Sequence, residues 1–217
     1  MNPEPPVAFT IREAQPADYP AVARVLGVSF VAGKYRFALG ADPNRRAALT
    51  EILLRHQALA PGKLYVAETA NGAVAGTILL KVDNAPIAPE KRRAAQAAMT
   101  AQVGRFRAAW ATWVLRLFSS PKVGPQTCYI DNLAVAPEFR GQGIALRLVR
   151  LLYDVSRSLG KTEIIADVVS SNRRVLDLID LEQWTVVRRN FLLAPLTLPL
   201  FGFASILRIR KDLKPPS

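Results

Sequence analysis

The chain has 217 residues, half of them apolar, and a formal net charge of +12. That length allows a sizeable core, and that charge favours an anionic partner, with nucleotide, nucleic acid and membrane surface all open on composition alone. One cysteine, Cys128, and one histidine, His56, exclude a disulfide framework, a multi-thiolate zinc site and a histidine-rich metal centre.

In chain order, AFTIREAQ (Ala8–Gln15) alternates apolar and polar residues and predicts a strand. Pro16 and Asp18 then open a helix with Tyr19, Val22, Val25 and Leu26 at helical spacing. Asp42–Leu59 predicts a second helix behind an Asp-Pro-Asn start. PGKLYVAET and GAVAGTILLKV are apolar segments around Asn71-Gly72, a strong hairpin signal. In the following stretch Met99, Val103, Phe106, Trp110, Trp113 and Leu117 form a single apolar stripe on a helix, flanked by Arg92, Arg93, Arg105, Arg107 and Arg116. The stripe is expected to pack on the protein's own core. A dimer seam, a substrate-facing lid and a membrane-surface helix remain as other readings.

TCYIDNLAV predicts a strand and Gly143–Leu159 a helix whose buried face is Ile144, Leu148, Leu151, Leu152, Val155 and Leu159, with Gly160 ending it. TEIIADVV is a further strand, SNRRVLDLIDLEQW a short helix capped by Ser171 or Asn172, and TVVRRNFLLAP and ASILRIRKDL the last strands. The pattern gives a mixed α/β sheet with flanking helices in one domain over residues 1–217. Phe191–Leu207 carries no charge, yet it is short for a membrane span and broken by Pro195, Pro199 and Gly202. MNPEPPVAF lacks the basic and apolar regions of a secretory signal, so a cytoplasmic protein is expected.

The informative junction is YIDNLAVAPEFRGQGIALRLV, Tyr129–Val149, where a strand turns into a helix through Arg140, Gly141 and Gly143. A dinucleotide fingerprint needs a third glycine where Leu146 stands, and a P-loop needs Gly-Lys-Ser/Thr, which is missing. Unpaired amides at a helix start nevertheless suit phosphate, and glycines let the main chain approach it closely. Arg140 adds charge at the mouth, and the uncharged Gln142 repels nothing.

LAVAPEFRGQGIA resembles the acetyl-CoA motif of the GNAT acetyltransferase superfamily, with Arg140, Gly143 and Ala145 in its fixed positions. The resemblance implies a mostly antiparallel central sheet, with about 86–124 as a helical insertion between the third and fourth strands. It implies acetyl-CoA as co-substrate, an amine acceptor and no metal. Main-chain groups of Leu133, Ala134 and Val135 would then pair with the pantetheine arm. Amides of Gly141, Gln142, Gly143, Ile144, Ala145 and Leu146 would hold the pyrophosphate, and Asn172 would lie near the thioester end.

Direct transfer needs a positioned amine, a donor for the developing oxyanion and a proton acceptor. A strand amide freed by local splay near Leu133–Ala134 is the expected oxyanion donor. By alternation Tyr129, Asp131, Leu133 and Val135 share one face, which makes Asp131 the candidate base. Glu138, in the turn, is expected to be a solvated charge. Relatives commonly carry a tyrosine acid seven residues past the asparagine, where this chain has Ile179. Either the thiolate leaves unaided or Tyr129 substitutes. A non-catalytic acyl-CoA-binding module is the other reading. A Cys128–His56 nucleophile pair lacks a third orienting group. Phe30–Leu39, Leu196–Phe203 and the Met99–Leu117 stripe are expected around the acceptor, whose chemistry leans apolar. Nucleic acid is not expected as a partner, since no recognisable motif for it is present.

Overall fold

The computed structural model describes residues 8–29, 34–58, 62–117, 120–190 and 205–213. The expected Pro-rich wall at Leu196–Phe203 and the start of the Phe30–Leu39 segment lie outside them. Strands β1 (Phe9–Glu13), β2 (Lys63–Thr69), β3 (Val74–Lys81), β4 (Thr127–Val135), β5 (Glu163–Val169), β6 (Thr185–Asn190) and β7 (Ile206–Asp212) form one sheet. Its order is β1-β2-β3-β4-β5-β7-β6. Every neighbouring pair is antiparallel except β4 with β5. The expected mixed, mostly antiparallel α/β sheet is therefore present.

The helices are α1 (Tyr19–Ser29), α2 (Lys34–Leu39), α3 (Pro43–Arg55), α4 (Pro89–Val103), α5 (Arg105–Leu117), α6 (Ile144–Ser158) and α7 (Arg173–Leu181). On one sheet face, Ile144, Leu148 and Leu152 of α6 meet Cys128, Ile130 and Ile164. On the other, Val22 and Leu26 of α1 and Leu54 of α3 meet Val66, Ala134 and Ala136. The six-residue α2 carries no signal in the sequence reading. It stands just before Asp42, whose carboxylate accepts from the Asn44 N–H at 3.0 Å and caps α3. Buried Arg46 then donates to the carbonyls of Gly27, Gly40 and Ala41 at 2.8, 2.9 and 2.5 Å, satisfying main-chain acceptors between α1 and α3.

Leu159, expected on the buried face of α6, stands just past its last residue Ser158 at 40% exposure, where the chain turns into Gly160. Two further expectations need correction. The Met99–Leu117 stripe does not lie on one helix, because Gly104, at φ +81°, separates α4 from α5. The two halves bury different sides. Ala95 and Met99 of α4 join Ala108, Ala111 and Val114 of α5 against Leu39, Leu49 and Leu53. Small residues let α5 approach α2 and α4, which turns Phe106, Trp110 and Trp113 outward at 82%, 45% and 56% exposure. The Leu117 side chain lies outside the described residues.

The second correction concerns β4. Leu79 pairs with Asn132 and Leu80 with Ile130, so Asp131 is the extra residue of a bulge. Simple alternation fails there. Ile130, Leu133 and Val135 all pack towards α6, while Ala134 packs towards α1. Tyr129 and Asp131 thus do not share a face with Leu133 and Val135.

Candidate functional site

The site begins where the sheet divides. Parallel pairing of β4 with β5 ends at Ile130 and Ala166. Beyond that point β4 stays on β3 as far as Val135, and β5 stays on β7 as far as Val169. A cleft therefore opens between Asp131–Val135 on one side and Asp167–Val169 on the other. Ala136 N–H donates to Ala75 O at 2.9 Å, which fixes the hydrogen-bonding phase of this end of β4. By alternation the main-chain groups of Ala134 turn to β3, whereas those of Leu133 and Val135 turn to the cleft. The Val135 carbonyl accepts from Arg140 Nε at 3.1 Å and from Ser29 Oγ at 3.5 Å. Arg140 thereby ties the turn to the strand it leaves.

The turn from β4 into α6 passes through a short 3-10 segment, Pro137–Phe139, which carries the exposed Glu138. Gly141 and Gly143 follow at φ +81° and +76°, the left-handed region that L side chains avoid. A Cβ built at either glycine meets no atom within 4 Å, so the mouth is open and glycine is required by backbone shape, not by crowding. Gly143 caps α6, and the first helical bond runs from Arg147 N–H to Gly143 O at 3.1 Å. The amides of Ile144, Ala145 and Leu146 at that helix start lie before the first intrahelical donor. Gln142 sits between the two glycines, half-buried.

Crowding acts instead on the far side. A Cβ at Gly76 would stand 2.9 Å from Ile144 Cγ2 and 3.2 Å from Leu148 Cδ1. Gly76 pairs with Val135, so its missing side chain lets the first turn of α6 rest directly on the sheet beside the cleft. Asn172 begins α7 on the β5 side of the cleft. Its amide donates to Val169 O at 2.9 Å, and its exposed side chain makes no capping bond. Main-chain amides, open glycines and a helix start make an anion seat that fits a pyrophosphate. An extended edge beside it fits a linear amide-bearing arm.

At the closed end of the cleft the bulge presents Asp131, which accepts a hydrogen bond from Ser120 Oγ and faces Asn132 Nδ2 at 3.5 Å. Asn132 is 7% exposed, and its Oδ1 is a buried acceptor without a partner among the described residues. Tyr129 is buried at 5% exposure. Burial first, then the neighbouring Asp131 and Asp167, pushes its phenol well above the usual range. Asp167 is gripped by Arg208 through Nε and Nη2, both at 2.8 Å.

Ile179, seven residues past Asn172, is buried in the core with Trp184. Cys128 is in the same core, its thiol pushed up chiefly by burial, while His56 closes α3. Asn132, Gly76 and the Asp167–Arg208 pair escaped the sequence reading. Asn132 depends on the bulge, Gly76 on a tertiary approach, and the pair on adjacency of β5 and β7.

Among known proteins, the model of the acetyltransferase (GNAT) family matches residues 34–180. No curated protein matches the chain. Among solved structures, one described as an acetyltransferase superposes with a TM-score of 0.61 at 19% identity, covering 94% of this chain and 100% of its own. A GCN5-related N-acetyltransferase from Kribbella flavida gives 0.60 at 19%, covering 95% and 98%. YncA from Salmonella typhimurium, solved with its cofactor acetyl-CoA, gives 0.52 at 17%, covering 97% and 96%. At these identities the structural likenesses speak for the fold.

Proposed function

The chain belongs to the acetyltransferase (GNAT) family, and on that premise we propose that it transfers the acetyl group of acetyl-CoA directly to a primary amine. The observation that carries this reading is the β4–β5 cleft ending in the open glycine turn. The chain is an acyltransferase by family, and residues 1–217 are proposed as one N-acetyltransferase domain.

In this reading the thioester supplies an activated acyl group, and the protein supplies position, charge and a proton acceptor. The amides of Gly141–Leu146 hold the pyrophosphate at the start of α6. The cleft-facing main chain of Leu133 and Val135 aligns the pantetheine arm, with Asn172 closing its other side. A main-chain N–H freed where β4 and β5 part serves the developing oxyanion. Asp131 takes the amine proton, directly or through a water, and Ser120 fixes its carboxylate.

Asn132 Oδ1 accepts a hydrogen bond from the acceptor nitrogen, which relieves an otherwise unmet buried acceptor. Tyr129, its phenol pushed up by burial, keeps its proton through the neutral range. It therefore acts as a hydrogen-bond donor, and the thiolate leaves without drawing that proton.

Thiol release from acetyl-CoA over a panel of primary amines tests the proposal. Turnover by wild type, with Asp131→Asn lowering kcat about 100-fold or more and leaving CoA affinity intact, is expected. Full activity in Asp131→Asn would remove the base assignment. CoA binding without turnover on any amine would defeat the acceptor class.

A further inference from the structure

We infer that the outer face of α5 is a docking surface for anionic lipid bilayers. Phe106, Trp110 and Trp113 recur at spacings of four and three and form one exposed ridge. The two indoles lie tilted by 33° with ring centroids 5.4 Å apart, and Arg105 lies 5.4 Å over the Phe106 ring. Helical spacing puts Arg105 and Arg116 along one flank of this ridge and Arg107 along the other. Aromatic rings between arginines are the chemistry of an interfacial helix: rings enter the headgroup boundary while guanidinium groups meet lipid phosphates.

Charge decides which occupant fits. Over α4 and α5 the chain carries six Lys or Arg residues and one acid, Glu90. A second copy docking α5 on α5 would bring arginines against arginines, with no carboxylate on either ridge to offset them. A nucleic-acid duplex would meet the arginines with phosphates but, with its bases already stacked, would give a phenyl ring at 82% exposure on a convex helix no apolar place to go. An acidic bilayer satisfies both halves of the pattern.

A cavity of about 190 Å³ opens beside the ridge. Arg45, Arg107 and Trp110 stand among its lining residues, with Leu39, Leu49 and Val103 supplying apolar wall. That combination suits a phosphodiester headgroup with the first carbons of its acyl chain. Among the described residues no helix is long and apolar enough to cross a membrane.

The test uses the full chain, sedimented with vesicles of phosphatidylcholine alone or with roughly a third phosphatidylglycerol. Partition onto the anionic vesicles should be at least about tenfold greater and should fall as salt rises. Trp110 and Trp113 fluorescence should shift to the blue, against a constant background from Trp184, which is buried and donates to Tyr153 Oη at 3.0 Å. Phe106→Ser with Trp113→Ser should lose that partition and keep the wild-type melting temperature and CoA binding, since both side chains are exposed.

Arg105→Glu with Arg116→Glu should reduce binding to anionic vesicles specifically. Equal partition onto both vesicle types, or retention by the serine variant, overturns the proposal. So does a dimer in sedimentation velocity that the serine variant dissolves while vesicles bind nothing. Binding to an oligonucleotide in place of vesicles, lost in the same variant, also overturns it.

Discussion

At the scale of residues, the glycine turn was legible and the bulge was not. Gly141 and Gly143 stand out because a helix start with adjacent glycines has few structural uses, and both adopt positive φ. Strand alternation points to Asp131, but an extra residue in β4 leaves no mark in the apolar pattern, so Tyr129 and Asp131 face away from Leu133 and Val135 where alternation would join them. Asn132 gains its interest only through that bulge. Gly143 offers a clean test of the anion seat. Asparagine and aspartate are the side chains that best tolerate left-handed backbone, and they match each other in size. Gly143→Asn should weaken CoA binding moderately by filling the mouth. Gly143→Asp should weaken it at least about tenfold further, because its charge opposes the pyrophosphate at the helix start. Calorimetric titration with CoA measures both, and equal affinities would remove the phosphate assignment.

At the scale of elements, most strands and most of the α6 face were legible because period two and period 3.6 are written along the chain, though Leu159 falls past the end of that face. The α4–α5 segment was not, since Gly104 re-phases the helix and buries Ala108, Ala111 and Val114 in place of larger neighbours. Size in sequence gave no clue that small residues faced inward. Gly76 shows how one element positions another. Gly76→Val should push the first turn of α6 from the sheet and lower CoA affinity more than it lowers thermal stability, readable by titration beside a melt. An edge contact gives a pH prediction. Arg12 of β1 binds Asp18 at 2.6 Å and Glu68 of β2 at 2.7 Å, and its hydrogen bonds hold both carboxyls below their usual values. Groups with depressed folded values stabilise above the ordinary carboxylate range, and that stabilisation is lost as pH falls through the folded values. Arg12→Met should therefore melt a few degrees lower than wild type at neutral pH, and the gap should close in acid. A gap independent of pH would show that packing of the Arg12 stem, and not its charge, matters.

For the whole molecule, most of the buried apolar residues among those described fall into three clusters with different duties. The clusters against the two sheet faces hold the cleft, whereas that of Leu39, Leu49, Leu53, Met99 and Val114 joins helices to helices. The α4–α5 layer is nonetheless tied to the cleft at its exit. Lys81 Nζ donates to Pro121 O at 2.8 Å, Asn84 binds the Val123 main chain at 2.7 and 2.9 Å, and Ser120 reaches Asp131. Stability and ligand binding should accordingly separate. Leu53→Ala and Leu148→Ala each remove a side chain no more than 4% exposed, at a cost of about 2–5 kcal/mol. In a chain of this length either should lower the melting temperature by roughly 5–15 °C. A saturating ligand raises it again by binding the folded state alone. Leu53→Ala should keep the wild-type CoA-induced rise, because its cavity lies in the helix cluster. Leu148→Ala should keep only part of it, because Leu148 supports the first turn of α6 against Gly76, where the amides of the anion seat are held. Melting curves with and without CoA decide the matter. An equal loss of the CoA-induced rise in both variants would mean that the helix cluster and the cleft fold and bind as one unit.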